Sequence, residues 1–146
     1  MNFGPIYLDH IGIAAHQLDD NSSFWSLIGL VQGNEDETVD DQGVTTRFFS
    51  TTEPDTSAPV PKIELLEPTG EDTPIGRFLA KRGPGVQQIC FSVAALTGLL
   101  NYLAENRVRL IDTEPRPGAG GHMIAFVHPS STGGVLVELS QRHNQE

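Results

Sequence analysis

Four polar residues interrupt otherwise apolar segments of this 146-residue chain: His10 in IYLDHIGIAA, Glu64 in KIELLE, Gln88 in VQQICFSV and Glu138 in VLVELS. Glu64 lies between Ile63 and Leu65, and Glu138 between Val137 and Leu139. In extended backbone each carboxylate therefore points away from the face its neighbours occupy. An imidazole, two carboxylates and an amide oxygen suit a borderline-to-hard divalent ion with open coordination positions. The two carboxylates balance the 2+ charge, without which withdrawing such an ion from water is costly. Singly, a Glu on an amphipathic strand faces water, and a His or Gln at a strand start is simply hydrogen-bonded. The occurrence of all four on two matched pairs of segments points to a metal.

Other reactive side chains have plainer readings. His122 and His128 share a parity, but His128-Pro129 opens a turn; His16 follows a strand at the surface, and His143 sits in the polar tail RHNQE. Cys90 is placed in the core, since nothing nearby would depress its pKa. Ser130-Ser131-Thr132 has no partnered base and no nucleophile elbow. Gly118-Ala119-Gly120-Gly121 is followed by no Lys-Ser/Thr pair and opens no helix, so it is not a phosphate loop.

The elements that must carry the quartet follow from periodicity and breakers. Residues 6–15 read as a strand. A short helix follows within 18–29, with Phe24, Leu27 and Ile28 spaced as its apolar stripe and Gly29 ending it. Residues 30–33 open a second strand, and the acidic stretch 34–41 is an exposed turn or a frayed strand. Strands are expected at 44–50 and 62–67, separated by the proline-bearing loop 51–61. A helix over 74–82 has Pro74 in its first turn and stops before Gly83-Pro84-Gly85.

The order then restarts: a strand at 86–93, and a helix over 96–106 with Leu96, Leu99, Leu100 and Leu103 on one face. Strands follow at 108–111, 122–128 and 135–140. Superposing the halves aligns His10 with Gln88 at an offset of 78 residues, and Glu64 with Glu138 at an offset of 74. The expected fold is α+β: two βαβββ modules, about residues 6–68 and 86–140, from an internal duplication within one domain spanning 1–146.

Composition narrows the partners. There are 9 basic and 19 acidic residues, a net charge of −10, and no basic block, which argues against nucleic acid or an anionic membrane. No apolar run approaches a membrane span, and the opening residues lack the pattern of a signal peptide. One cysteine excludes an internal disulfide and fits a cytoplasmic setting.

The segments LDHIGIA (8–14), KIELLEP (62–68), TPIGRFLAKRGPGVQQICFSV (73–93), RLIDTEPRPGAGG (109–121) and FVHPSSTGGVLVEL (126–139) together resemble the vicinal oxygen chelate superfamily. Within that glyoxalase-fold superfamily they are most similar to the methylmalonyl-CoA epimerases. The resemblance implies a divalent ion (Co, Ni, Zn, Mn or Mg) on His10, Glu64, Gln88 and Glu138, with Glu138 also the catalytic acid/base. It implies an acyl-CoA substrate, whose phosphates Lys81, Arg82 and Arg116 would serve, and a homodimer.

Two positions depart from the epimerase pattern. Gln88 stands where those enzymes carry His, giving one His, two Glu and one Gln, a composition seen in some glyoxalase I enzymes. Counting from Gln42-Gly43-Val44, Thr46 stands where they carry a second catalytic Glu. Two alternatives stay open: a glyoxalase-type lyase or isomerase acting on another chelated carbonyl compound, and a ligand-binding member of the fold without turnover.

Overall fold

The computed structural model describes residues 3–51 and 60–142. Most of the expected loop 51–61, and His143, lie outside the described residues. The chain packs as two compact units, one of residues 10–87 and one of the residues up to Asp9 together with those from Gln88 onward. Each is an α+β unit.

The 10–87 unit contains most of β1 (Tyr7–Ala14), then α1 (Ser22–Leu27), β2 (Val31–Gln32), β3 (Glu37–Val39), β4 (Val44–Ser50), β5 (Lys62–Pro68) and α2 (Pro74–Arg82). β1 runs parallel to β5, β5 antiparallel to β4, and β4 pairs with both short strands β2 and β3. The acidic stretch 34–41 thus supplies a short strand. Alternation assigns the two faces. Ile13, Ile63, Leu65 and Phe49 pack with Leu18, Trp25 and Leu30 in the core beneath α1, while His10, Glu64, Thr46 and Phe48 take the opposite face.

α1 corrects the stripe expected from spacing. Phe24, Leu27 and Ile28 are exposed, Leu27 to 82%, and Trp25 is the helix residue packed against the core. The indole has the largest apolar surface available in this one-and-a-half-turn helix, and it sets the helix phase; Phe24 is left to pack edge-on against it. Gly29, at φ 111°, ends the helix as expected. α2 begins and ends where the sequence places it. The Thr73 hydroxyl accepts the Gly76 N–H at 3.0 Å, Ile75 and Leu79 are buried, and Gly83 follows at φ 73°.

Opposite the site face of β4, Arg47 ties this unit together. Its guanidinium donates twice to Asp36, at 2.9 Å each, once to Asp19 at 2.9 Å and once to the Ser22 hydroxyl at 3.0 Å. Hydrogen bonding from Arg47 holds the Asp36 carboxyl below the usual range, against an opposing effect of burial.

The second unit contains most of β6 (Gly85–Val93), α3 (Leu96–Glu105), β7 (Arg116–Pro117), β8 (Met123–Val127) and β9 (Leu136–Gln141). β6 runs parallel to β9, β9 antiparallel to β8, and β8 antiparallel to β7. Leu96 and Leu100 of α3 join Val93, Ala125, Val127 and Leu139 in its core. The strand expected at 108–111 does not form. Among the described residues only a single bridge joins Leu110 to Val127, because the Asp112 carboxylate takes the Phe126 amide that would continue the ladder. Arg116 and Pro117 pair with β8 instead.

Both units share one frame. In each, the first strand is parallel to the last and the last is antiparallel to the strand before it. Glu64 sits opposite Gly12 and Phe48; Glu138 sits opposite Cys90 and Phe126. Gly12 to Cys90 and Phe48 to Phe126 are each offsets of 78, the offset that relates His10 to Gln88.

Candidate metal centre

In the 10–87 unit the pairing places His10, Gly12, Glu64, Leu66, Phe48 and Thr46 on the face turned away from the α1 core. His10 and Glu64 are both buried, and His10 Nε2 lies 2.5 Å from Glu64 Oε2. The Phe48 ring meets the imidazole edge-on, with centroids 5.9 Å apart at 82°. Thr46 is 1% exposed, and its hydroxyl donates to the Glu37 carbonyl at 3.4 Å.

In the other unit Gln88, Cys90, Ser92, Glu138 and Phe126 share the face turned away from α3. Gln88 and Glu138 are each 5% exposed, and Cys90 is fully buried but stands on this donor face rather than among the aliphatic residues beneath α3. Arg116 lies on this same face through its pairing with Ile124. Its Nε is 3.2 Å from Asp112 Oδ1, and its guanidinium stacks 5.6 Å over the Phe126 ring. Asp112 also accepts the Phe126 amide at 2.9 Å, so one carboxylate fixes both the strand and the arginine above it.

Each half therefore presents one carboxylate and one neutral donor, all buried, on the face turned away from α1 or α3. Buried carboxylates need protonation, donors or a cation. His10 Nε2 and Glu64 Oε2 form a direct buried pair at 2.5 Å, and both residue types are ligands that a divalent ion accepts. The residue types fit such an ion.

The remaining candidates have structural roles. His128 Nδ1 accepts the Ser130 amide at 3.0 Å, forming the turn its proline announced. His122 Nδ1 lies 3.2 Å from the Gln141 carbonyl, and His16 is exposed. The Ser131 hydroxyl accepts the Arg109 amide. Residues 118–121 form a tight turn, with Gly120 and Gly121 at φ 68° and 72°. Lys81 and Arg82 are exposed in the last turn of α2, and Arg82 lies 5.8 Å over the Phe78 ring. Sequence reasoning did not single out Phe48 and Phe126. The signal was there, in two phenylalanines 78 residues apart at strand positions sharing the parity of Thr46 and its counterpart Ile124.

Residues 9–126 match the glyoxalase/bleomycin resistance protein/dioxygenase superfamily, and the chain belongs to it. Among its relatives, the uncharacterized protein YqjC of Bacillus subtilis is 41% identical over 94% of this chain and 96% of its own. The ethylmalonyl-CoA/methylmalonyl-CoA epimerase of Cereibacter sphaeroides is 37% identical over 92% of this chain and 96% of its own. A methylmalonyl-CoA epimerase variant from Streptomyces coelicolor, solved with 2-nitronate-propionyl-CoA, superposes with a TM-score of 0.84 at 37% identity. That match covers 94% of this chain and 97% of that one.

Proposed function

We propose that this chain is a metal-dependent isomerase of the methylmalonyl-CoA epimerase type, moving the proton α to a thioester carbonyl. His10, Glu64, Gln88 and Glu138 hold a divalent ion (Co, Ni, Zn, Mn or Mg), and Glu138 moves the proton. The observation that carries this reading is the matched burial of one carboxylate and one neutral donor at the same register in each half. The epimerases among its relatives, and the acyl-CoA analogue bound by one of them, support the substrate class.

When bound, the ion would supply Lewis-acid stabilisation of charge on the thioester oxygen, an effect of several kcal/mol. The chain's own residues do the rest. Glu138 abstracts the α-proton from within hydrogen-bond reach. Phe48 and Leu66 line the face next to Glu64. Exposed Lys81 and Arg82 offer local positive charge to CoA phosphates on a chain whose net charge is −10. A homodimer in the cytoplasm completes the proposal.

Thr46 favours a second reading, a ligand-binding member without turnover. A threonine hydroxyl is no base near neutral pH, and this one is committed to the Glu37 carbonyl. Elemental analysis of the purified protein, run beside α-proton exchange of methylmalonyl-CoA in deuterated water, separates the two. The epimerase reading expects bound metal and deuterium at the α-carbon. Glu138→Ala should remove both, while His10→Ala weakens metal retention and leaves the fold intact. Tight ligand binding without exchange would establish the second reading. Full activity of metal-free protein, or wild-type activity of Glu138→Ala, would overturn the site.

A further inference from the structure

We infer that Phe48 is a positioning residue for the His10–Glu64 pair, and that it tunes the affinity and geometry of a divalent ion held there. This rests on the metal reading of those two residues. Phe48 sits directly across the β4–β5 ladder from Glu64, where side chains on one face approach within van der Waals contact. It also meets the imidazole of His10 edge-on, at 5.9 Å and 82°. One ring therefore touches the space of both donors and fixes the tilt of the imidazole plane.

Imidazole ligands are ordinarily oriented by a polar partner on the ring nitrogen that does not bind the metal. Here an aromatic edge-to-face contact orients the ring as well, and such contacts have a defined geometry. The partly buried ring also lowers the local dielectric around the carboxylate, which strengthens its attraction to a cation. The equivalent ring in the other half, Phe126, is stacked by Arg116, and that half carries Gln88 at the position of His10. The positioning role is thus particular to the half that keeps its histidine.

The test is a Co2+ titration of the full chain, read by visible absorption and by competition with a chelator, beside thermal unfolding of the metal-free protein. The unsubstituted chain should bind Co2+ with a d–d band. Phe48→Leu should bind about tenfold more weakly, with a shifted band, as losses of supporting contacts around metal ligands do. Phe48→Tyr keeps the ring and should restore both affinity and band. Ile63→Ala, on the opposite face of β5 in the α1 core, should lower the unfolding temperature while leaving the Co2+ spectrum in place. Phe48→Leu with wild-type affinity and spectrum would overturn the positioning role while leaving the metal reading intact. An unsubstituted chain that binds no Co2+ would overturn the metal reading, and the role of Phe48 with it.

Discussion

Thr46→Glu tests most directly whether the chain retains an epimerase pocket. Thr46 is 1% exposed and pairs with Leu66, on the face that carries Glu64. Its hydroxyl bond to Glu37, at 3.4 Å, is long, so losing it costs about 0.5 kcal/mol. Forcing in a longer side chain costs about 1–3 kcal/mol in a packed site. The new carboxylate also has its pKa raised by burial and by neighbouring carboxylates, unless a cation offsets both. Against this, a second positioned acid/base contributes about a hundred- to ten-thousand-fold in rate, or roughly 3–5 kcal/mol of barrier. The variant should therefore be less stable yet much faster at inversion. Thr46→Gln, of the same size without the charge, should share the stability loss and show no gain. The assay follows α-deuterium incorporation and stereochemical inversion separately for each epimer of methylmalonyl-CoA. The unsubstituted chain should exchange the proton on one face and invert slowly. Fast inversion by the unsubstituted chain would refute the reasoning and move attention to His122 as the second proton donor. A folded, metal-loaded Thr46→Glu protein without gain would show a pocket shaped for another ligand.

Two expectations concern stability. Arg47→Met removes the paired bond to Asp36, worth about 1 kcal/mol because that carboxylate is 36% exposed and screened, and the Ser22 bond, worth about 1 more. The melting temperature should fall by roughly 4–8 °C. The folded-state pKa of Asp36 lies below its unfolded value, near 3.9. Its contribution is therefore complete above that pH and lost as pH falls through the folded pKa. Asp36→Asn should flatten this acid limb in denaturant titrations, and an unchanged limb would refute the assignment. Leu27→Ser should alter unfolding free energy by less than about 0.5 kcal/mol, since the side chain is 82% exposed; a larger loss would restore the stripe expected from spacing.

The strands were legible because period-two alternation and Gly/Pro punctuation act locally. β4, β5 and α2 fall within a residue of where the sequence puts them. α1 was legible as a helix but its orientation was not: three apolar residues at helical spacing lost to one tryptophan, a contest that only the core beneath can decide. The strand expected at 108–111 had the right composition. It was undone by a side chain, Asp112, capturing the Phe126 amide from fourteen residues away. In the candidate site, His10, Glu64, Gln88 and Glu138 were readable as polar interruptions of apolar strands. Phe48 was hidden because an aromatic residue in a strand is unremarkable until its ladder partner is known.

The common register has a consequence for how such a protein diversifies. The offset between the halves is 78 through β4 and β8 but 74 at β5 and β9, so Glu64 follows Phe48 by 16 residues while Glu138 follows Phe126 by 12. Both glutamates nevertheless face a phenylalanine across the ladder. Linker length is thus uncoupled from where a donor stands. The side chain at position 88 or at position 46 can be exchanged without redrawing the backbone that displays it. Inheritance acts on such a scaffold as on a pegboard, with chemistry exchanged one peg at a time and each half free to drift from its twin.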